Sequence, residues 1–124
     1  MDEQVRQALA QGQTIDITTI GRKSGQPRRI EIWFHNFDGR IYITGRPGRR
    51  DWYANLHTNP NFTFHLKHDV RADLPARAVL IEEPEAKRAL IQRVCQVPGW
   101  SGDLETWVAH SPLIEVVFDG SAAA

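Results

Sequence analysis

The sequence predicts a single α+β domain, mostly β, built as a small antiparallel barrel. Six or so strand-like runs occur along the 124 residues, and most of them follow one another directly, with a few short helical segments between the others. A chain of this length supports one hydrophobic core and is too short for two. We therefore expect a barrel domain over residues 13–119, a short helix or partly ordered segment over 1–12, and a tail over 120–124.

Three strands are predicted in the first half of the chain. A mostly polar helix ends at Gly12, and the β-branched run Ile15–Ile20 then predicts the first strand. Ile30–Phe34 alternates between an apolar and a mixed face, which predicts the second strand. Asp38-Gly39 suits a two-residue hairpin turn, and residues 41–44 follow as the third strand.

The middle of the chain begins with a loop rich in glycine and proline over residues 45–50. Asp51 is expected to cap a short helix that ends before Asn59-Pro60. Residues 62–67 alternate as a strand with Phe62, Phe64 and Leu66 inward. A further strand over 72–81 is interrupted by its proline, which indicates an edge strand or a bulge.

Two helices precede the last predicted strand. Pro84 suits the first residue of a helix that runs to Val97. Its predicted apolar stripe consists of Ala86, Ala89, Leu90, Val94 and Val97. A shorter helix over residues 103–109 and a strand over 113–118 complete the fold.

Charge is distributed unevenly along a chain whose net charge is zero. Between Gly21 and Arg50 eight cations face two acids, a net charge of +6, whereas Glu82–Asp119 carries −4. One face is therefore expected to receive an anion. No run of ~18 apolar residues and no signal-peptide pattern occurs, so we expect a cytoplasmic protein without a membrane span. The single Cys95 excludes an internal disulfide.

The turn Gly21–Arg29 carries the strongest local signal. Its glycines allow positive φ, its proline fixes φ, and four of its nine residues are cations. Exposed backbone amides and converging guanidinium groups suit a phosphate. A solvated hairpin tip is the alternative interpretation of this turn on its own.

The sequence contains no Ser-His-Asp pattern, no paired catalytic carboxylates and no cluster of metal ligands. The five histidines are scattered along the chain. His65 and His68 lack a third ligand, so we expect a solvated turn there and no metal site.

The sequence resembles the deazaflavin-dependent nitroreductase family at two separated motifs. The first motif is Thr18–Arg28, and the second consists of Asp51–Leu56 followed by Asn59-Pro60. These proteins are split β-barrels related to the flavin-binding pyridoxamine-phosphate-oxidase-like group. The resemblance implies a hydride-transferring oxidoreductase that binds the deazaflavin coenzyme F-420, whose oligoglutamate tail is a polyanion. The basic segment Gly21–Arg50 is the electrostatic complement of such a ligand.

The resemblance also implies roles for individual positions. It assigns the phosphate to Arg22, Lys23 and Ser24. It assigns the tail and ring to Arg28 and the strand residues Arg29, Ile30, Glu31, Ile32 and Trp33, and the deazaflavin to Thr44, Gly45 and Arg46. Trp52, Tyr53 and Asn55 would close the site. Trp52 and Tyr53 would pack as core in any such helix, so Asn55 is the more informative of these three.

The acceptor side departs from the family pattern. Loop 45–51 is short, and the tyrosine-rich segment of nitroreducing members is replaced by residues 97–104, in which Trp100 is the one aromatic wall. A quinone or enone acceptor is therefore as good an expectation as a nitro compound. Water, Tyr53 or His110 would supply the proton, in that order of preference.

Three other functions compete with a deazaflavin-dependent enzyme: ligand binding without turnover, FMN-dependent catalysis and nucleic-acid binding. The barrel can hold a deazaflavin or another anion without turnover, or it can bind FMN as its cofactor. Nucleic-acid binding is not expected, because the net charge is zero and the aromatic residues are better explained by core and cofactor contacts. Related split barrels pair through sheet faces, and the face bearing Trp33 and His35 would suit either a homodimer or the ligand.

Overall fold

The computed structural model describes residues 2–119, and the predicted tail over 120–124 lies outside them. The elements in chain order are α1 (Glu3–Ala8), β1 (Thr14–Ile20), β2 (Pro27–Phe37), β3 (Arg40–Thr44), α2 (Asp51–Thr58), β4 (Asn61–Lys67), β5 (Arg71–Leu80), α3 (Pro84–Val94), α4 (Leu104–His110) and β6 (Leu113–Phe118). The six strands form one closed antiparallel barrel in the order β1-β2-β3-β6-β5-β4. The predicted fold class is therefore confirmed.

The barrel encloses the main hydrophobic core. Alternate residues of every strand point inward, and Phe34 and Phe64 pack edge to face at its centre, with ring centroids 5.4 Å apart. Val5 and Leu9 from α1 and its C-terminal end join this cluster. A second cluster lies between the outer barrel wall and helices α3 and α4, around Tyr42, Trp107 and other residues of these elements. The first cluster therefore holds α1 and α2 against the barrel, and the second holds α3 and α4.

The hairpin between β2 and β3 is as predicted. Asp38 and Gly39 both have positive φ, 58° and 87°, which is the conformation that a two-residue primed turn requires. Asn36 accepts a hydrogen bond from the Gly39 amide through its side-chain oxygen at 2.9 Å. The strand β2 is longer than expected, because Pro27–Arg29 also pair with β1.

Two predictions about strand and helix ends are wrong. Asp51 is the first residue of α2 rather than its cap, and Arg50 precedes it without a side-chain cap bond. The Asp51 carboxylate instead accepts from Arg22 Nη2 at 3.4 Å. β5 is an interior strand that continues through Pro75, because the missing N–H lies on the side of β6, whose pairing begins one residue later at Ala76.

The helix α3 also differs from its prediction. It ends at Val94 rather than Val97, and its buried side chains are Ile91 and Val94, whereas Ala86 and Ala89 are exposed. Lys87 shares the buried face, since it lies one turn before Ile91. Because a lysine occupies one position of the buried face, a search for hydrophobic residues at helical spacing does not identify this face.

The prediction of a solvated turn is wrong for His65, which is a buried residue of β4, whereas His68 is exposed in the bend that follows this strand. The Nε2 of His65 lies 2.7 Å from Thr18 Oγ1, and its Nδ1 lies 2.6 Å from Asp73 Oδ1. Over residues 2–119 no group of three or more metal-ligating side chains is found. Nor does this part of the chain contain a helix with the length and hydropathy needed to cross a membrane.

Candidate active site

Two adjoining cavities open beside the N-terminal half of β2, and Ile30 and Trp52 line both of them. The first, called the loop cavity, has a volume of about 390 Å³ and is lined by Thr19, Gly21, Arg22, Lys23, Ser24, Arg28, Ile30, Asp51, Trp52 and Asn55. The second, called the strand cavity, has a volume of about 450 Å³ and is lined by Ile30, Glu31, Ile32, Thr44, Gly45, Arg46, Arg50, Trp52 and Trp100.

The turn between β1 and β2 shapes the loop cavity. The Gly21 amide donates to Gln26 O at 2.8 Å, and the Gly25 amide donates to Gly21 O at 2.9 Å. Gly25 has φ 70°, a conformation in which a side chain would be strained. Ser24 Oγ accepts from the Gln26 amide at 3.1 Å. The turn is therefore closed by its own hydrogen bonds, and its cationic side chains are left to project from it.

Asn55 joins this turn to the helix α2. It is 3% exposed, and its Oδ1 accepts from both the Arg22 amide at 3.1 Å and Arg22 Nη1 at 3.0 Å. Its Nδ2 donates to the buried hydroxyl of Thr19 at 3.1 Å. Asp51 holds the same guanidinium from the other side. Arg22 is thereby fixed at the wall of the loop cavity.

Lys23 and Arg28 differ from Arg22 in their bonding. Both are exposed, and neither side chain forms a hydrogen bond or an ion pair with any residue from 2 to 119. One oriented cation and two unpaired cations thus line the same small cavity. Such a set suits a phosphate group, which accepts several charge-assisted hydrogen bonds at once.

The strand cavity is more apolar than the loop cavity. Ile30, which is 37% exposed, and Ile32 lie along β2, and Trp52 and Trp100 provide aromatic surface. The Trp100 ring rests edge to face on His35, with centroids 4.8 Å apart. A flat aromatic ligand would bury this apolar surface against rigid side chains.

The polar edge of the strand cavity is formed by the loop after β3. Thr44 is buried and donates its hydroxyl proton to Pro112 O at 2.5 Å. Arg46 Nη2 donates to Gly99 O at 3.1 Å, which ties this loop to the residue before Trp100. The loop and the aromatic wall are therefore held together.

Arg50 is a site residue that the sequence analysis did not single out. Its Nη2 donates to Arg46 O and its Nη1 to Arg49 O, both at 3.0 Å. Both partners are neutral carbonyls, so the guanidinium charge remains unbalanced beside the strand cavity. The sequence does show that loop 45–50 is rich in arginine, which was a signal for a site residue there. Only the fold shows that Arg50 lines the strand cavity.

Four residues predicted for the site line neither the loop cavity nor the strand cavity. Arg29 is on the outer face of β2, where its Nε is 3.0 Å from Asp16 Oδ2. Trp33 is half-buried on the same side of the strand, with its indole nitrogen beside Gly12. Tyr53 and His110 line a third, larger cleft and are not among the residues that line the strand cavity.

The barrel fold and the sequence of this chain are both similar to those of known proteins. Three solved structures have the same fold: a conserved hypothetical protein from Mycobacterium tuberculosis (TM-score 0.72, 21% identity, 96% of this chain and 81% of that chain), an F420 reductase (TM-score 0.68, 20% identity, 97% of each chain), and an FAD-binding protein from Mesorhizobium loti (TM-score 0.68, 12% identity, 96% and 91%). Residues 2–117 match the family described as F420H2-dependent quinone reductase. The chain belongs to this family of split-barrel proteins.

Proposed function

We propose that this protein transfers a hydride from reduced coenzyme F-420 to a small organic acceptor of the quinone or enone class. One observation carries the proposal: an apolar cavity with aromatic walls shares Ile30 and Trp52 with a cavity whose lining includes two unpaired cations. A ligand that joins an aromatic ring to a phosphodiester needs these two environments side by side. The family match supports the same cofactor.

The residues divide into two groups under this proposal. Arg22, Lys23, Ser24 and Arg28 would hold the phosphate in the loop cavity. Ile30, Ile32 and Trp52 would lie against the ring in the strand cavity, with Thr44, Gly45 and Arg46 along its edge. Arg29, Trp33 and Tyr53 are assigned no contact with the ring or the phosphate, because none of them lines either cavity.

When bound, the reduced deazaflavin supplies the hydride, and the chain supplies orientation, a dry surface and charge. The acceptor gains two electrons with the hydride and develops negative charge on its oxygen. Arg46 and Arg50 border the strand cavity and would stabilise that charge. A proton then reaches the oxygen from water. The apolar walls exclude competing water from the ring face.

Tyr53→Phe is expected to leave coenzyme affinity within twofold and turnover within about threefold. Tyr53 lines the larger cleft, and burial, with a smaller effect of Glu82, raises the pKa of its phenol. A phenol there is a poor proton donor to an acceptor in the strand cavity. Steady-state kinetics with a quinone acceptor test this, and an abolished rate with intact binding would make Tyr53 the proton donor.

Lys23→Gln/Arg28→Gln is expected to weaken coenzyme F-420 binding by about tenfold to a hundredfold, because each lost charge-assisted contact costs ~1 kcal/mol or more. Neither side chain has a partner in the described part of the chain, so the fold should be unaffected. A fluorescence titration of the purified protein measures the dissociation constant. FMN is titrated in parallel, because its single phosphate could use the same cations.

The matched control is Arg71→Gln/Arg77→Gln, which removes two exposed cations from β5, where neither side chain has a partner in the described range. This variant should bind the coenzyme like the wild type. Equal weakening in both variants would show that the loop cavity is not the phosphate site. Tighter binding of FMN than of coenzyme F-420 would replace the cofactor in the proposal, and coenzyme binding without reduction of any acceptor in a screen would indicate a binding protein without turnover.

A further inference from the structure

The third cleft is lined by residues of α2, the start of α3 and the C-terminal end of α4. Its volume is about 1520 Å³. Nothing in the reaction proposed above uses it. The chain has three lysines, and Lys87 is the one that lines this cleft. Much of the remaining lining is apolar and consists of Pro47, Ala54, Pro84, Val108 and Pro112. The cleft therefore combines a primary amine with apolar walls.

The neighbours of Lys87 on its own helix leave its ammonium group unpaired. On a helix, a glutamate four positions before a lysine is a common ion-pair partner, and Glu83 has this position. Its two carboxylate oxygens instead accept from the amides of Glu85 at 3.1 Å and Ala86 at 2.7 Å. Four positions after Lys87 is Ile91, which is fully buried. The Lys87 side chain is half-buried and has no hydrogen-bond or ion-pair partner among residues 2–119.

The two acids that line the cleft are directed elsewhere. Asp51 is paired with Arg22 at 3.4 Å, and the Glu82 carboxylate lies 3.7 Å from His57 Nε2. Glu82 affects Lys87 only through its charge, without a hydrogen bond. Burial lowers the pKa of the Lys87 ammonium group, and the charge of Glu82 opposes this with a smaller effect.

These surroundings suit a nucleophile better than an anion-binding group. An anion is held by the ammonium form of lysine, which partial burial without a partner disfavours. Arg49, Arg50 and His110 also line the cleft, and none of them is an acid that could compensate this charge. The free amine carries the lone pair that attacks a carbonyl carbon, and desolvated lysines are the ones that form Schiff bases. The apolar walls suit the hydrocarbon part of such a compound.

We propose that Lys87 is a nucleophilic amine that captures a small aldehyde or ketone in the third cleft as an imine. The Nζ lone pair forms a bond to the carbonyl carbon while the C=O π bond opens. The nitrogen loses one proton and the oxygen gains one, which gives a carbinolamine. Its hydroxyl then takes a second proton and leaves as water, and the C=N bond forms as the nitrogen loses its remaining proton. The step needs no oxidant or reductant, and it does not rest on the proposed hydride transfer.

Tyr53, His57 and Glu82 form a titratable cluster in the same cleft. The rings of Tyr53 and His57 meet edge to face with centroids 5.0 Å apart, and Glu82 approaches His57 from the side of Nε2. The charge of Glu82 acts on both the Tyr53 phenol and the Lys87 ammonium, so these groups share one region of the cleft. Because an imidazole gives and takes protons near neutral pH, His57 is assigned the protonation of the leaving hydroxyl.

Reductive trapping of the purified full chain, without coenzyme, tests the inference. Pentanal is the probe, and cyanoborohydride reduces each imine to a stable secondary amine that peptide mapping by mass spectrometry locates. Lys23, which is exposed, and Lys67, which is bonded to Asp16 and Glu31, are internal references. At pH 7 we expect Lys87 to be trapped about fivefold faster than Lys23. Lys67 should be slowest, because its bonds to the two carboxylates raise its pKa.

Saturation separates a binding site from an amine that is merely reactive. The rate at Lys87 should level off as the pentanal concentration rises, whereas the rate at Lys23 should rise linearly. Relative to Lys23, Lys87 should also prefer pentanal to acetaldehyde by about threefold, because the apolar walls bury part of the longer chain. Lys87→Arg should lose the fast trapping, since a guanidinium group forms no imine.

Two further variants test the titratable cluster with cyanoborohydride in excess. Glu82→Gln should shift the pH–rate profile of Lys87 to lower pH, because the charge of Glu82 raises the pKa of Lys87. His57→Gln should lower the saturated rate by about tenfold. His68→Gln, at an exposed histidine that does not line the cleft, should keep the wild-type rate.

Equal trapping of Lys87 and Lys23 at pH 7 would overturn the inference. So would a preference for Lys87 that neither saturates nor depends on the aldehyde. Inorganic phosphate that suppresses trapping at Lys87 at constant ionic strength would show that the cleft holds an anion instead of a carbonyl compound. Since no coenzyme is present in these measurements, none of the outcomes depends on whether the protein transfers a hydride.

Discussion

Replacing Asn55 with alanine is expected to lower the free energy of unfolding by about 3 kcal/mol and to weaken coenzyme binding more than tenfold. Asn55 makes three hydrogen bonds from a buried position, two to Arg22 and one to Thr19. Alanine leaves the hydroxyl of Thr19, which is 1% exposed, without its donor. Each buried polar group that loses its partner costs ~1–3 kcal/mol.

The loss of affinity has a different cause from the loss of stability. Asn55 fixes both the backbone and the side chain of Arg22 at the wall of the loop cavity. Without it, Arg22 must be ordered when the ligand binds, which takes conformational entropy from the binding free energy. Lys23 and Arg28 are untouched, so binding should weaken rather than vanish.

Asn55→Asp separates the two effects. Its carboxylate still accepts hydrogen bonds from Arg22 but has no proton to donate to Thr19. We expect it to lose stability and to retain more coenzyme affinity than Asn55→Ala. Urea unfolding and the fluorescence titration measure the two quantities, with Asn61→Ala as a control because Asn61 is exposed at the start of β4. Wild-type affinity in Asn55→Ala would show that Asn55 does not position Arg22 for the ligand.

Asn55 also shows which kind of site residue a sequence can indicate. Its neighbours in α2 are explained by packing, whereas an amide at that position of a short helix has no packing reason. The turn Gly21–Arg28 was predictable for a similar reason, because its glycines, proline and cations are contiguous. The β2–β3 hairpin and the strand β6 were equally local, and their predicted positions are confirmed.

Features that need distant segments were not predictable. Asp51 has the residue type of a helix cap, but the fold brings Arg22 from 29 positions away, and that guanidinium takes the carboxylate. Pro75 is typical of an edge strand, but β5 is paired on both sides in the closed barrel. The proline is tolerated because its missing N–H would face β6, whose pairing with β5 begins one residue later, at Ala76. The third cleft is lined by residues of α2, α3 and the end of α4, and no local pattern in the sequence predicts that these segments meet.

Lowering the pH from 6.5 to 4 is expected to cost the protein about 3 kcal/mol of stability through His35 alone. His35 lies on the outer face of β2, 3% exposed, between the rings of Phe37 and Trp100. Its Nε2 is buried without a hydrogen-bond partner in the described residues. Burial lowers the pKa of this imidazole from 6.5 to about 4.

The direction follows from proton binding. Below pH 6.5 the unfolded chain protonates His35, while the native protein holds it neutral until about pH 4. Stability is therefore complete above pH 6.5 and falls as the pH decreases through this window, by ~1.4 kcal/mol per pH unit for one proton. At the lower end, the native state itself must accept a charge beneath Trp100.

Urea unfolding of wild type and His35→Phe at pH 7, 5.5 and 4.5 isolates this contribution. Phenylalanine keeps an aromatic ring against Trp100 and cannot be protonated, so the difference in stability between the two proteins should change by about 2.4 kcal/mol from pH 7 to 4.5. His110→Gln, at an exposed histidine, should retain the wild-type slope. Parallel slopes for wild type and His35→Phe would contradict a buried neutral imidazole. Because Trp100 is a wall of the strand cavity and rests on this ring, the same titration should weaken coenzyme binding below pH 5 in the wild type and not in His35→Phe.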